Sequence, residues 1–542
     1  MKNLYKYLGV LTLAVSSLFI TQSCEKPFDG VNAILTNVKI DHQVNIQIID
    51  ANPSATNPYP ANPVLTIDGD AVTKGLIYTA DGKALNNTPG SATVVSNAVS
   101  LAVKPFTVIS QTQPLRFTIT ATAANYISNS QEIVITSIDN LQYINLKLLR
   151  LSSLPQGVSN TSTQATAVAG TIATNFVVNV TDAVTSQTVA TATFPAATVF
   201  KDATNATITT PGNLNVAVTN FSPTSSASVS ALPGGTSATT TTKEDLTFLL
   251  AGAVDIKASI GGKEIKSFST PIPFDVKLSS TVFNPVTNST LKVGDQLPVW
   301  SKDEGSVLWK NEGFATVVND GATSNLKTVI QVSHLSTWMV AFGLPDCASK
   351  TVVNYVSNST TPITVFVKVA TKVGNAQAVA TTTRSIKNGD KIEFNLPNGL
   401  PLTVSVYSGA SDNAPLLTTA DIPACATTVT VTNNVISPNP ILAFDLETAC
   451  QNGRFRYTGP IEYKLAGTNL WIPFTPSEAG KLTTSLLEWD KTYNFRIQYK
   501  GQEFARTRAV LKAEFRQNGT VWEFFGKTAE KQEFFSAPTN CN

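Results

Sequence analysis

Charged side chains are scarce in this sequence, and their two signs nearly cancel. Asp, Glu, Lys and Arg make up 14% of the 542 residues, whereas globular domains average about 25%. The formal net charge is +2, which gives no strong field to attract nucleic acid, so we predict no nucleic-acid partner. Thr, Ser, Asn, Ala and Val fill the deficit. That mixture favours strands and polar turns over surface helices.

Histidine is nearly absent, which removes several classes of catalytic and metal site. The two histidines, His42 and His334, fall in different predicted domains. Their separation argues against a Ser-His-Asp hydrolase and against histidine-based metal centres. Glycine-rich phosphate loops are also missing, so we predict no cofactor and no metal. Paired carboxylates could support glycan cleavage, but the adjacent pair Asp303-Glu304 precedes Gly305, a pattern typical of a turn.

No long hydrophobic run follows residue 20, so the body of the chain is predicted to lack a membrane-spanning helix. One short apolar run, Leu8–Ile20, follows Lys2 and Lys6 and precedes the tetrapeptide TQSC, which ends at Cys24. This arrangement resembles a bacterial lipoprotein signal, with Thr21 where that family more often has leucine. The resemblance implies cleavage before Cys24 by signal peptidase II and lipidation of Cys24, which gives stable membrane attachment. An ordinary secretory signal is the alternative.

The chain has only five cysteines, and four remain once Cys24 is set aside. Cys347, Cys425, Cys450 and Cys541 are an even number, which predicts disulfides in an oxidising compartment. Three pairings are possible. We favour Cys347–Cys425 and Cys450–Cys541, because each pair brackets one domain-sized stretch. A zinc site is the alternative, but the sequence has no Cys-x-x-Cys spacing and no histidine near these residues.

Apolar and polar residues alternate along most of the chain, and no window shows a sustained helical stripe. Leu115, Phe117 and Ile119, for example, fall on one face of LRFTITA. A Ser/Thr-rich segment at 222–242 predicts a long surface loop. We predict an all-β fold of serial β-sandwich domains in an elongated arrangement. The predicted segments are a signal peptide (1–23), a tether (24–30) and four β domains (31–151, 152–345, 346–445 and 446–542).

Three of the predicted domains carry patterns of known β-sandwich types. TADGKAL followed by TATAANYISNSQEIVI, in 31–151, resembles the carboxypeptidase-regulatory-like, transthyretin-type sandwich. The alternation of ITVFVKV predicts an Ig-like sandwich for 346–445. IEYKLAGTNLW followed by LLEWDKTYNFRI, in 446–542, resembles the fibronectin type III layout. These resemblances imply modules that act as spacers.

The most specific internal motif is VSHLSTWMVAF, which contains His334, Leu335 and Ser336. Upstream lies LPVWSKDEGSVLWKNEGFATV, with Trp300 and Trp309. Together they resemble the proteolysis-site region of GAIN and ZU5 domains, in 152–345. The resemblance implies a final hairpin in which His334 accepts the hydroxyl proton of Ser336. Ser336 then attacks the Leu335 carbonyl, and the Leu335–Ser336 bond is broken once, without turnover.

A purely structural interpretation of the same motif remains open. GAIN proteolysis regions usually carry cysteine pairs around the hairpin, and this sequence has none there. ZU5-like relatives often keep the triplet without cutting. In this alternative His334 hydrogen-bonds a turn, while Leu335 and Trp338 belong to the core.

Three of the six tryptophans, Trp471, Trp489 and Trp522, lie in the last predicted domain, farthest in sequence from Cys24. Aromatic faces stack on sugar rings, and exposed aromatic side chains often mark contact surfaces. We predict Trp471 and Trp522 as ligand-binding candidates. Trp489, beside Asp490 at the start of a strand, is predicted to be core.

These observations predict a lipid-anchored lipoprotein of the outer membrane of a Gram-negative bacterium, on the cell surface or facing the periplasm. Its predicted role is that of a binding or adhesion scaffold. The partners would be the membrane, through the lipid, and an extracellular protein or glycan. One alternative is an accessory glycan-binding lipoprotein of an outer-membrane uptake system. The other is a carboxylate-based, glycan-active enzyme; otherwise no enzymatic turnover is predicted.

Overall fold

The computed structural model describes residues 43–536, with short gaps. Within these residues the chain forms 45 strands and two short α-helices, so the predicted all-β fold is confirmed. Cys24, His42, Trp471 and Cys541 lie outside the described residues. The gaps are at 56, 80–83, 86–89, 93, 95–96, 111, 137–141, 322–324, 358–362, 373–375, 387, 410, 415, 434–440, 446, 451–452, 457–460, 468–471, 474, 479–480, 485–486, 500–501, 520 and 525–532.

The first unit consists of two sheets that share one apolar core. Its elements are β1 (Gln43–Asp50), β2 (Val64–Asp68), α1 (Asp70–Thr73), β3 (Ile77–Thr79), β4 (Ala84–Leu85), β5 (Gly90–Ala92), β6 (Ala98–Val103), β7 (Leu115–Thr122), β8 (Tyr126–Ile127), β9 (Asn129–Ile135) and β10 (Gln142–Arg150). One sheet has the order β4-β3-β6-β1-β10-β8, and the other has the order β5-β2-β7-β9. On β7, Leu115, Phe117 and Ile119 are buried and alternate with partly exposed residues, as the period of two predicts.

The second unit contains two larger sheets. Its elements are β11 (Val158–Ala167), β12 (Phe176–Thr181), β13 (Thr188–Phe194), β14 (Phe200–Lys201), β15 (Gly212–Phe221), α2 (Ser226–Ala231), β16 (Ser237–Thr239), β17 (Asp245–Ile260), β18 (Lys263–Glu264), β19 (Ser267–Leu278), β20 (Phe283–Asn284), β21 (Ser289–Thr290), β22 (Gln296–Lys302), β23 (Lys310–Thr316), β24 (Val318–Asn319), β25 (Leu326–His334) and β26 (Thr337–Pro345). The eight-stranded sheet follows β11-β15-β17-β26-β22-β23, with β16 and β18 also paired to β17. The six-stranded sheet follows β12-β13-β19-β25-β24, with β14 also paired to β19.

Strand β17 is the centre of the second unit, and its backbone touches the facing sheet closely. A β-bulge lies between Leu250 and Gly252, where β17 pairs with β26. A Cβ atom at Gly252 would lie 2.7 Å from Cγ1 of Val276 on β19. Only glycine therefore fits at this point without a shift of the Val276 side chain.

Two local predictions for the second unit are wrong. The Ser/Thr-rich segment 222–242 is not a long surface loop, because it contains α2 and β16 and buries Val229 and Leu232. The His334-Leu335-Ser336 segment is not the turn of a hairpin. Strand β25 pairs with β19 and β24, whereas β26 pairs with β17 and β22, so the segment crosses from one sheet to the other.

The third unit has a three-stranded sheet, β30-β27-β33, and a four-stranded sheet, β29-β28-β31-β32. Cys347 precedes its first strand, Cys425 precedes its last, and the two form a disulfide bond, the pairing that the sequence favours. The strands are β27 (Thr351–Ser357), β28 (Ile363–Thr371), β29 (Ala378–Ile386), β30 (Lys391–Phe394), β31 (Leu402–Ser408), β32 (Leu416–Ile422) and β33 (Thr428–Asn433).

The fourth unit contains three sheets, with the orders β39-β40-β34-β44-β43, β36-β35-β45 and β38-β37-β41-β42. On β41, alternation in TYNFRI predicts a buried face of Tyr493, Phe495 and Ile497 and a polar face that includes Arg496. The first three are buried, and Arg496 is buried too, because it pairs with Glu462 at 2.6 Å. The elements are β34 (Ile441–Asp445), β35 (Glu447–Cys450), β36 (Gly453–Arg456), β37 (Ile461–Leu465), β38 (Ile472–Pro473), β39 (Thr475–Glu478), β40 (Lys481–Thr484), β41 (Thr492–Tyr499), β42 (Gln502–Ala509), a 3-10 turn (Lys512–Glu514), β43 (Phe515–Asn518), β44 (Val521–Phe524) and β45 (Glu533–Ser536).

The first three units contact one another through a shared apolar cluster, which we call the junction cluster. Polar contacts reinforce it: Asn145 Nδ2 donates to Thr383 O at 2.7 Å, and Thr236 Oγ1 donates to Val379 O at 2.8 Å. Both bonds reach the third unit, one from the first unit and one from the second. The junction cluster includes Ala51, Ile127 and Leu149 of the first unit, Val229, Leu232, Phe248 and Trp309 of the second, and Ala378 of the third.

Candidate functional site

The Leu335–Ser336 peptide is held in a bend between the two sheets of the second unit. The amide of Leu335 donates to the carbonyl of Lys266 at 2.9 Å, and the carbonyl of Ser336 accepts from the amide of Ile256 at 3.3 Å. One bond reaches the segment before β19 and the other reaches β17. The bend is therefore fixed on both sides by backbone hydrogen bonds, as a sheet-to-sheet crossing requires.

His334 faces carboxylates and an indole. Its Nδ1 lies 3.3 Å from Asp303 Oδ1, and its Nε2 lies 3.6 Å from Glu312 Oε1. The Trp338 ring lies 5.0 Å from the imidazole, and Trp338 Nε1 donates to the His334 carbonyl at 3.2 Å. Among the described residues no hydrogen bond joins His334 to Ser336, and Nδ1 of His334 has no partner in hydrogen-bonding geometry. The histidine is therefore not engaged as a base for Ser336.

The hydroxyl of Ser336 lies at a small polar cavity where the first and second units meet. Ser336 is 4% exposed, and its Oγ has no hydrogen-bond partner among the described residues. About 20 Å³ of the cavity is open to the centre of a water molecule, which is room for about one water. The groups that line it include Ser128, Asp255, Lys257, Lys302, Glu304 and Ser336.

The acidic and basic side chains around the cavity each have a hydrogen-bonding or oppositely charged partner. Burial raises the pKa of Asp255, whose Oδ1 accepts a hydrogen bond from Thr337 Oγ1 at 2.8 Å. Burial opposes the charge on Lys257, but the Asp255 and Glu304 carboxylates outweigh it and raise the pKa of this lysine. Burial lowers the pKa of Lys302, whose Nζ donates to the Ser306 carbonyl at 3.1 Å. Each of these buried charges has a polar partner.

Glu304 connects this charged cluster to the first unit. Its carboxylate lies 2.6 Å from Ser128 Oγ, 2.9 Å from Lys257 Nζ and 3.6 Å from Lys266 Nζ. Burial alone would raise the pKa of Glu304, but the Ser128 hydroxyl and the Lys257 ammonium lower it to about 2. Glu304 lies in the turn between β22 and β23, as the sequence predicts. Its carboxylate is occupied by these three partners rather than held ready for an acid–base step.

The fourth unit presents a half-buried aromatic surface, which we call the tryptophan patch: Trp489, Lys512 and Trp522. The two indole rings meet edge to face at 5.4 Å, and Lys512 Nζ lies 4.7 Å from the centre of the Trp522 ring. Trp489 also packs against Phe515 at 5.1 Å. Trp522 is thus partly accessible, as a ligand-binding candidate must be, and Trp489, predicted to be core, lies beside it and is only partly buried.

The sequence analysis missed part of the patch. Trp489 and Trp522 are far apart in sequence, and the 3-10 turn that brings Lys512 over the ring has no periodic signature. The other candidate, Trp471, lies outside the described residues, as do Cys24 and Cys541. Cys450 ends β35, and its predicted bond to Cys541 stays a prediction. No cluster of metal-ligating side chains occurs within the described residues.

Comparisons with known proteins give no family for this chain. No protein-family model matches it, and no curated protein matches it. Among solved structures, the TIE protein of Bacillus anthracis is 10% identical over 74% of this chain and 54% of its own, with a TM-score of 0.11. The chain therefore spans about half of that protein's length. BcpA, the major pilin subunit of Bacillus cereus, is 7% identical over 92% of this chain and 99% of its own, with a TM-score of 0.13. At these scores the likeness supports no conclusion about function.

The charged cluster predicts a pH-dependent contribution to stability from Glu304. We expect Glu304→Gln to lower the free energy of unfolding at pH 7 by about 1 kcal/mol, a modest value because solvent screens this partly exposed carboxylate. Its pKa is lowered from 4.5 to about 2 in the folded chain, so the stabilisation is complete above about pH 4.5 and is lost as the pH falls towards 2. Urea denaturation between pH 7 and pH 2.5 measures this.

The matched control is Asp303→Asn, in the same turn. The Asp303 side chain is 75% exposed, so its removal should change the unfolding free energy by only a few tenths of a kcal/mol. If Glu304→Gln and Asp303→Asn behave alike at every pH, the cluster does not stabilise the contact between the units.

Proposed function

We propose that the chain is a lipid-anchored extracytoplasmic lipoprotein that acts as a binding or adhesion scaffold. The lipobox-like TQSC sequence ending at Cys24 supports the anchor. Serial sheet units, with a disulfide between Cys347 and Cys425, support a role outside the reducing cytoplasm. The proposed location is the outer membrane of a Gram-negative bacterium, on the cell surface or the periplasmic side. Within the described residues no helix is long and apolar enough to span a bilayer.

The tryptophan patch is the observation on which the binding role rests. It combines two aromatic rings with a cation in the unit that is farthest in sequence from Cys24. Partly exposed indoles of this kind supply large apolar contact area at low entropic cost and dominate the energetics of many interfaces. Lys512 covers one face of Trp522, and Trp489 packs edge to face with the same indole at 5.4 Å. A ligand would therefore contact the part of the indole left exposed or displace the lysine.

The nature of the ligand separates the proposed scaffold from its alternatives. A protein ligand corresponds to adhesion, and a glycan corresponds to an accessory lipoprotein of an outer-membrane uptake system. The tryptophan patch suits either, since an indole face stacks on a pyranose ring as readily as it packs against a protein side chain. A carboxylate-based enzyme draws less support from the second unit, because the Glu304 carboxylate is paired with the Ser128 hydroxyl and the Lys257 ammonium.

The anchor is tested through Cys24. We expect Cys24→Ser to move the protein from the membrane fraction to the soluble fraction, because no acyl chain can then be attached. Intact mass should show the diacylglyceryl and N-acyl additions in the wild-type chain and none in the variant. Thr21→Leu, which restores the residue more usual in lipoproteins, is the matched control and should remain lipidated. A wild-type chain that stays in the membrane fraction without acyl mass would refute lipidation.

The tryptophan patch is tested by binding. A screen of the mature full chain against glycans and extracellular proteins should give a ligand whose affinity falls about tenfold in Trp522→Ala, as for loss of a stacked aromatic contact. Phe314→Ala is the control, since Phe314 is 69% exposed in the second unit and outside the patch. Equal affinities of the two variants would place the binding surface elsewhere.

A second candidate function is single-turnover cleavage between Leu335 and Ser336. The observation that favours it is the buried hydroxyl of Ser336, which lacks a hydrogen-bond partner and shares its cavity with Asp255. In this reaction Ser336 Oγ attacks the Leu335 carbonyl carbon and gives its proton to a base. The peptide nitrogen of Ser336 takes up a proton as the bond breaks, and water then hydrolyses the ester. His334 would have to turn from Asp303 and Glu312 to act as that base.

Intact-mass analysis of the denatured mature chain decides between cut and uncut forms. Cleavage gives fragments 24–335 and 336–542, and Ser336→Ala gives one full-length species because the nucleophile is gone. Ser301→Ala, on the neighbouring strand β22, leaves the nucleophile in place and should give the wild-type pattern. A wild-type chain of full mass, without fragments, removes this candidate.

A further inference from the structure

The loop that follows β6 exposes two apolar side chains to solvent, although β6 itself is largely buried. We call residues 104–110 the Phe106 loop. Phe106 is 97% exposed and Val108 is 80% exposed. An aromatic and a branched apolar side chain held in water two residues apart gain by contacting an apolar partner.

The backbone of the Phe106 loop holds the ring outward. Phe106 has φ +65°, a left-handed conformation that costs a bulky residue about 1 kcal/mol or more. The loop retains it because the Lys104 carbonyl accepts two bonds from Thr107, from the amide at 3.3 Å and from Oγ1 at 2.7 Å. A strained φ at a side chain that packs against nothing in its own unit indicates that the exposed ring contacts a partner outside the unit.

Strand pairing fixes where this loop lies on the first unit. Strands β1 and β6 are antiparallel, with Gln43 opposite Ala102, so the start of β1 lies beside the end of β6. The Phe106 loop begins two residues after Ala102. It therefore lies at the end of the sheet where the chain arrives from Cys24.

The contact with the second unit runs along β9, from Asn129, whose Oδ1 accepts from the Gly234 amide at 2.9 Å, to the ion pair of Arg116 with Asp245 at 3.5 Å. Strand β10 runs parallel to β1 and leaves the sheet at Arg150, towards the second unit. Strand β8 pairs with this end of β10, with Ile127 opposite Leu149, and the next residue, Ser128, bonds Glu304 of the second unit. The Phe106 loop lies at the end of the sheet where β1 begins, and the 97% exposure of Phe106 shows that no described part of the chain covers its ring.

The length of chain between the lipidation site and β1 limits how far this end of the unit can lie from the bilayer. Residues 25–42 separate Cys24 from Gln43, and 18 residues span at most about 65 Å even when fully extended. A second copy of the chain or a soluble partner would meet the loop only in competition with the membrane surface. The bilayer is the apolar phase that the anchor itself brings to the loop.

The polar groups around the loop carry no excess of either charge. Lys104 lies at its start, and its amide bonds Leu76 O at 2.8 Å, which brings the segment after α1 alongside. That segment supplies Lys74, paired with Asp70 at 3.6 Å, and Asp68 ends β2 at the same end of the unit. These two acidic and two basic groups balance in charge. We therefore expect binding to depend on apolar insertion rather than on attraction to anionic lipid.

We propose that the Phe106 loop inserts Phe106 and Val108 into the headgroup region of the bilayer to which Cys24 is anchored. The first unit then rests on the membrane instead of moving freely on its tether. This inference rests on the proposed lipidation. Aromatic rings favour the depth at which headgroups meet acyl chains, and the second attachment adds to the lipid without a change of fold.

The test places a fluorescent reporter in the loop of the lipidated full chain. Phe106→Trp is reconstituted through its own lipid into phosphatidylcholine vesicles, with Val184→Trp as the matched control, because Val184 is 88% exposed in the second unit. We expect the added Phe106→Trp emission to shift to the blue and to fall by about half when the acyl chains are brominated. The added emission of Val184→Trp should do neither. Val108→Trp serves as a second reporter.

Each outcome decides a separate point. If the acyl mass is present on Cys24 and the emission of both loop reporters matches that of Val184→Trp, the loop does not insert and the inference is overturned. If the loop reporters are quenched equally with and without 20% phosphatidylglycerol, insertion is apolar, as proposed. Quenching only in anionic vesicles would overturn the apolar mechanism. A chain without acyl mass on Cys24 refutes the proposed anchoring itself, a failure that intact mass distinguishes from failure of insertion.

Discussion

The burial of β17 on both of its faces is the constraint on which the arrangement of the first three units depends. Leu249, Ala251 and Val254 join the core between the two sheets of the second unit. Phe248 and Leu250, on the opposite face, join the junction cluster. A strand that is apolar on both sides must be covered on both sides. The second unit therefore requires α2 and its two neighbouring units on the outer face of its larger sheet.

This requirement explains which parts of the fold the sequence could predict. Alternation with a period of two correctly placed Leu115 and Phe117 inside the first unit, because that sheet is buried on one face only. The turn at Gly261-Gly262 is equally local, because two glycines between apolar runs favour a tight turn, and Ile260 pairs with Lys263 across it. Both features depend on residues that are adjacent in sequence, so the local pattern contains the necessary information.

The wrong predictions share a different cause. The 222–242 segment looked like a solvated loop because Ser and Thr dominate it, yet Val229 and Leu232 are spaced to cover the outer face of β17. The motif around His334 looked like a hairpin because two apolar strands flank a short bend. Whether such strands pair with each other or join different sheets depends on distant partners, which a local pattern does not contain.

The candidate site follows the same division. Turn chemistry predicted the bend at Glu304, but its contact with Ser128, 176 residues earlier, depends on how two units meet. Arg496 illustrates the point again: alternation put it on a polar face, and its buried position depends on Glu462 across the sheet. Ionic partners that lie on separate strands are set by register, which residue spacing along one strand does not specify.

The bond between Cys347 and Cys425 gives the third unit an unusual response to mechanical load. A pull along the backbone would pass from Cys347 directly to Cys425, which lies 78 positions later, and would bypass the stretch between them that the bridge closes. Unravelling that stretch would otherwise release roughly 260 Å of slack. If the proposed anchor and a bound ligand were pulled apart, the tension would cross this unit along a short covalent path, and most of its strands would carry none of the force.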